Sequence, residues 1–160
     1  LDVGFGEMTG ARKANKPRTG HFAKADIKPH RVLREFRLVE DGDFSVGQVL
    51  DVNLFAVGDE LKVSGKSKGK GFAGVVKLFH FRGKNNTHGT PGVRRHGGSI
   101  GQGTTPGKVW KGKKMPRHMG NANVTVKGLA VMRVDTDRNL LFIKGAIPGG
   151  SNGFVFLRKA

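Results

Sequence analysis

The feature that most constrains this chain is a run of seventy-four residues, Leu61 to Val134, with sixteen Lys or Arg and no Asp or Glu. A solvated face normally intersperses both signs of charge to limit self-repulsion. Short basic runs are usually ordinary solvated surface, but one of this length cannot neutralise itself and calls for an external anion. Clustered Lys and Arg gain affinity for a polyanion by neutralising phosphates and releasing counterions. Elsewhere charge is nearly balanced. Residues 1–60 carry nine basic and ten acidic side chains and residues 135–160 carry four and two, so sixteen of the seventeen net positive charges are accounted for by one block.

The 160 residues suffice for one well-cored domain, or for a domain with an appendage. With no cysteine, neither disulfides nor Cys-based zinc sites can hold the fold. No apolar run approaches the roughly 18–20 residues that span a bilayer. The opening Leu1-Asp-Val-Gly-Phe-Gly6 has neither an initiator Met nor a charged-then-apolar leader pattern, and reads as chain already inside a domain.

Residues 11–30 form a polar basic connector, with a helical turn predicted at His21–Ala25 and closed before Pro29. Arg31–Val39 reads as a strand, and Asp41-Gly-Asp43 as the turn after it. Val46–Phe55 alternates apolar and polar and predicts a second strand. Val57–Glu60 turns the chain, and Leu61–Ser64 enters a third strand. Lys66-Ser-Lys-Gly-Lys-Gly71 is a flexible cationic loop. Phe72–Phe81 predicts a short helix whose Phe72, Val75, Val76 and Phe79 share one core-facing stripe. Arg82–Gly120 has almost no aliphatic material, so it cannot bury enough apolar surface to order itself and takes its shape from a partner. Patterning returns in Val124–Val126, Leu129–Val134 and Leu140–Lys144, the last two joined by a hairpin turn at Asp135–Asn139. A turn at Pro148–Gly153 precedes a strand at Phe154–Leu157. The expectation is a mainly β fold: a small β-barrel interrupted by a long, irregular basic extension, with one or two short helices. Its parts are residues 1–81 with the basic loop 65–71, the extended loop 82–120, and the C-terminal strands 121–160.

Several motifs fail on chemistry. Gly69-Lys-Gly-Phe-Ala-Gly74 fits the dinucleotide fingerprint G-x-G-x-x-G. The ribose-binding acid should lie about 20 residues on, and none occurs between Glu60 and Asp135. Gly65-Lys-Ser67 resembles the end of a P-loop, but the Gly that should open that loop is absent. His80, His88, His96 and His118 lack helical ligand spacing and any completing Cys or carboxylate. Asn85-Asn-Thr87 fits a glycosylation pattern that matters only on secretion. No carboxylate lies in the basic block for acid–base work and no nucleophile elbow is present, so no enzyme, cofactor or small-molecule substrate is predicted.

For RNA binding the parts are present. Lys66, Lys68, Lys70, Lys77, Arg82, Lys84, Arg94, Arg95, Lys108, Lys111, Lys113, Lys114 and Arg117 supply phosphate-pairing charge. His88, His96, His118 and Trp110 supply rings that stack on unpaired bases. Trp110 has an equally weighted alternative, as an apolar anchor against the barrel.

Long stretches also resemble the bacterial-type family of large-subunit ribosomal protein L3. They are Gly65–Lys77, Thr87-His-Gly89, Gly98-Ser-Ile-Gly-Gln102, Thr105-Pro-Gly-Lys-Val-Trp-Lys-Gly-Lys-Lys-Met115, His118-Met-Gly-Asn121 and Asn139–Gly149, with Asn15-Lys-Pro17 and Gly20-His-Phe22. The resemblance runs in order along essentially the whole chain. It implies a barrel related to translation-factor second domains and an extension that penetrates the large-subunit RNA. By position, Gly98, Ser99, Ile100, Gly101, Gln102, Gly103, Thr104, Thr105 and Pro106 would form the tip nearest the peptidyl-transferase centre, and Lys108–Arg117 the return path along rRNA. It further implies strands preceding Leu1 that are missing here, leaving the barrel incomplete. Thr104 stands where some members carry a methylated Gln, so that modification is not expected.

The leading expectation is a structural rRNA-binding protein that assists early large-subunit assembly. Its partners are 23S-type rRNA and neighbouring large-subunit proteins, with no membrane, in a bacterial cytoplasmic or an organellar ribosome. A free nucleic-acid-binding, chaperone-like protein and an NAD-type enzyme resting on residues 69–74 are the competing readings.

Overall fold

Strict alternation in Glu60-Leu-Lys-Val-Ser-Gly-Lys66, with Leu61, Val63 and Gly65 inward and Lys62 and Ser64 between them, makes a central strand of the larger sheet. In the computed structural model, residues 1–8, 14–38, 42–90 and 92–160 are described. They form two units, Leu1–Leu54 and Phe55–Ala160.

The first unit pairs β1 (Asp2–Glu7) antiparallel with β2 (His30–Glu35), from Asp2 opposite Glu35 to Glu7 opposite His30. Between them runs α1 (Lys16–Ala23), which buries Phe22 beside the His30 ring at 5.6 Å between centroids. Asn15 caps the helix by accepting from the Arg18 amide at 3.1 Å, and Pro17 lies in its first turn. Gly4 is required by close approach, because a Cβ there would lie 2.9 Å from the His30 ring.

In the second unit, β3 (Glu60–Lys66) is flanked by β6 (Asn123–Asp135) and β8 (Val155–Lys159). With β7 (Leu140–Ile143) on the far side of β6, the sheet order is β7-β6-β3-β8. Leu61, Val63, Leu129 and Val131 form the core, packed by Phe55, Val126, Val134, Leu141, Ile143, Val155 and Leu157. Full burial stabilises by about 1.5–3 kcal/mol per such side chain. A second ladder pairs β4 (Phe72–Ala73) with β5 (Arg117–His118), and α2 (Val75–Phe79) follows β4. Among the described residues no helix is long and apolar enough to cross a membrane.

Four expectations are corrected. Val46–Phe55 is not a strand: it holds a turn at Val46-Gly47 and a 3-10 turn at Val52–Leu54. Val46 and Val49 are 79% and 77% exposed, and Gly47 has φ +85°, so the alternation has no sheet face to bury. The Phe72–Phe81 helix shrinks to five residues; Phe72 lies in β4, 77% exposed, and only Val75, Val76 and Phe79 turn inward. Val124–Val126 and Leu129–Val134 are one strand, not two. Against β3 the pairing steps from Leu61–Leu129 to Val63–Val126, so β6 carries an extra residue where Gly128 has φ +72°. This bulge brings the even-numbered Val126 and the odd-numbered Leu129 onto one face. A second irregularity between Val131 and Arg133 returns Val134 to the core. The fold is mainly β, and among the described residues no sheet closes into a barrel, β7 and β8 being the edges of the four-stranded sheet. The predicted helical turn near His21 is a full helix beginning earlier, and the Val39 and Asp41 parts of the predicted strand and turn lie outside the described residues.

Candidate nucleic-acid interface

β3 carries the chain out of the core at Lys66, and the backbone of residues 67–71 then binds the returning segment 117–122. The Ser67 amide donates to the Ala122 carbonyl at 2.9 Å, and the Asn121 amide to the Ser67 carbonyl at 3.1 Å. The Lys70 amide donates to the Met119 carbonyl at 2.9 Å, and the Met119 amide to the Gly71 carbonyl at 2.8 Å. Ser67 Oγ also accepts from the Ala122 amide at 3.3 Å. Phe72 pairs with His118 and Ala73 with Arg117 directly beyond. The backbone groups are thus spent inward, while Lys66, Lys68, Lys70, Arg117 and His118 are exposed. Outgoing and returning cations are joined in one two-ply ribbon.

α2 gives this ribbon a support. Val75 is buried, and the helix ends at His80 in the left-handed region, whose amide donates to the Val76 carbonyl. Phe79 meets two cations of the return segment: the Lys114 ammonium and the Arg117 guanidinium each lie 5.6 Å from its ring centroid. The Phe81 ring sits 6.2 Å away. In a segment without carboxylates, aromatic faces hold cations without cancelling their charge.

Beyond α2, the Lys84 amide donates to the Arg94 carbonyl at 3.0 Å. Arg94 Nε donates to the Thr90 carbonyl at 3.3 Å, and Thr90 Oγ1 to the Thr87 carbonyl at 2.8 Å. Arg94 is therefore partly engaged with its own loop, whereas Lys77, Arg82, Lys84, His88, Arg95 and His96 are exposed. Residues 94–118 are exposed throughout. Within the predicted tip, Ser99 Oγ donates to the Gly101 carbonyl at 2.7 Å and the Gly107 amide to the Gly103 carbonyl at 3.2 Å. Gly98, Ile100, Gln102, Thr104, Thr105 and Pro106 are exposed in the same segment. Trp110 is 56% exposed with the Lys108 ammonium 4.5 Å over its ring. Lys111, Lys113 and Lys114 follow it, exposed.

Carboxylates are paired elsewhere, Glu7 with Lys28 at 3.5 Å and Asp59 with Lys159 at 2.8 Å. A hydrogen bond from the Ala56 amide and the Lys159 ammonium hold the Asp59 carboxyl below its ordinary range. Among the described residues no group of three metal-ligating side chains assembles.

Sequence reasoning missed Phe79 as a cation support, having placed it on a core stripe. Its signal was available: Phe79-His-Phe-Arg82 sets two aromatic rings inside the acid-free run. The Ser67 clamp left no comparable signal, because it is made chiefly by backbone groups.

A family profile described as Ribosomal protein L3 matches residues 40–140. The chain is 49% identical over all 160 of its residues to the large ribosomal subunit protein uL3 of Ectopseudomonas mendocina (strain ymp), covering 76% of that relative.

Proposed function

The chain belongs to the ribosomal protein L3 family, and from that premise we propose that it is a structural component of the large ribosomal subunit that grips large-subunit rRNA with its acid-free segment. The observation that carries this reading is the two-ply ribbon, in which the loop 67–71 and residues 117–122 spend their backbone groups on each other and turn their cations outward. Lys66, Lys68, Lys70 and Arg117 would meet phosphates from one side, and Lys111, Lys113 and Lys114 from the return path. Trp110 would stack on an unpaired base. The exposed segment Gly98–Pro106 would reach toward the peptidyl-transferase region, where the chemistry belongs to RNA and this chain acts as a prop. The open sheet would be part of a barrel-type domain that carries the extension, bound early in assembly beside neighbouring large-subunit proteins.

Sucrose-gradient fractionation of cells expressing the tagged chain tests the reading. Co-sedimentation with the large subunit is the expected result. Recovery only in ribosome-free fractions would overturn it and favour a free nucleic-acid-binding protein.

A further inference from the structure

A hollow lies beside α2, outside the two-ply ribbon, with an apolar floor and a cationic rim. Its lining includes Val75, which is buried, Phe81 and Val93, which are half-buried, and Arg82, Lys84 and Arg95, which are exposed. It is built by backbone approach. Gly83 has φ +72°, with no room for a β-carbon against the Arg94 carbonyl, and the Lys84 amide donates to that same carbonyl at 3.0 Å. On the other wall Gly97 stands over Val75, where a Cβ would lie 3.4 Å from the valine methyl.

The chemistry of the lining selects its occupant. Among the described residues the lining holds no carboxylate, so nothing there favours a cation. A purely apolar ligand would leave three cations facing it unpaired. An aromatic heterocycle carrying a phosphate satisfies both halves, the ring against Phe81 and Val75 and the phosphate against the arginines. Pockets of this form, mostly apolar with a few convergent polar groups, are the usual form of a ligand site. We propose that this hollow seats one unpaired nucleotide of the bound RNA, its base splayed out of the helix and stacked on Phe81. The proposal rests on the rRNA-binding reading and adds to it one position read through a base and not through backbone charge alone.

The test is equilibrium binding of the full chain to large-subunit rRNA across a salt series, with base-specific chemical probing of the same complexes. Phe81→Ala is expected to weaken binding about tenfold with the salt slope unchanged, since stacking releases no counterions. It should also restore the reactivity of one protected base. Arg95→Gln should instead lower the salt slope. Gly97→Val fills the hollow without removing the ring and should restore reactivity at that same base, so it carries the test alone if circular dichroism shows Phe81→Ala to be misfolded. Unaltered base protection in Gly97→Val, with wild-type binding still steeply salt-dependent, overturns the pocket and leaves the rRNA reading intact. Absence of salt-dependent binding by the wild type overturns both.

Discussion

Gly120, at φ +74°, lies so close beneath the Lys68 carbonyl that a β-carbon there would collide with it. This contact sets the spacing between the outgoing basic loop and the returning strand. Placing an L-residue in the left-handed region costs roughly 1–2 kcal/mol before any collision. Gly120→Ala should therefore open the ribbon, weakening rRNA binding several-fold in a filter-binding assay while far-UV dichroism of the four-stranded sheet is kept. Wild-type affinity in this variant would show that the ribbon's spacing is irrelevant to RNA.

Phe79 supports Lys114 and Arg117 through its ring face. Exposed cation–π contacts are worth about 0.5–1 kcal/mol each. Phe79→Leu should lower rRNA affinity a few-fold, and Phe79→Tyr should restore it because the face is kept. Equal behaviour of the two variants would mean that Phe79 acts only by volume.

The exposed Lys111, Lys113 and Lys114 present charge with no carboxylate in their own segment. Replacing all three by Gln should reduce the slope of log K against log salt by about two to three, one counterion-release increment per phosphate contact. An unchanged slope would remove these residues from the phosphate contacts.

Asp59 ties the turn at Ala56 to Lys159 in β8. Its carboxyl is held low chiefly by the Ala56 amide and then by Lys159. A depressed folded pKa makes this contribution to stability complete above the unfolded carboxylate value of 3.8 and lost as pH falls through the lower folded value. The difference in urea midpoint between wild type and Asp59→Asn should hold steady above about pH 5 and shrink as acid is added. A difference that grew in acid would reverse the assignment.

The strands that were legible in the sequence are those with partners. Leu61–Ser64 alternates and buries what it alternates, while the apolar runs Leu140–Lys144 and Phe154–Leu157 turn Leu141, Ile143, Val155 and Leu157 to the core, with β8 running from Val155 to Lys159. Val46–Phe55 alternates equally well and forms no strand, since periodicity describes a face without saying whether anything covers it. β1 was hidden because Gly4 and Gly6 dilute its apolar pattern, although Gly4 is what lets the His30 ring approach. β6 was split in two because the bulge at Gly128 reverses the phase of its side chains, which simple alternation reads as a break. At the candidate site, composition marked the cations. The contacts that converge them, Ser67 with Ala122 and Phe79 with Arg117, are non-local and could only be read in the folded chain.

In the proposed function the acid-free extension lies against large-subunit rRNA. Because the chain has no cysteine, a single Ser99→Cys substitution gives one attachment point for a hydroxyl-radical-generating iron chelate. Large subunits assembled with that tethered protein should show rRNA strand cleavage clustered around the peptidyl-transferase region, while a tether at Ser151, in the turn before β8, cuts elsewhere. Absence of rRNA cleavage from Ser99 in subunits that contain the protein would contradict the account.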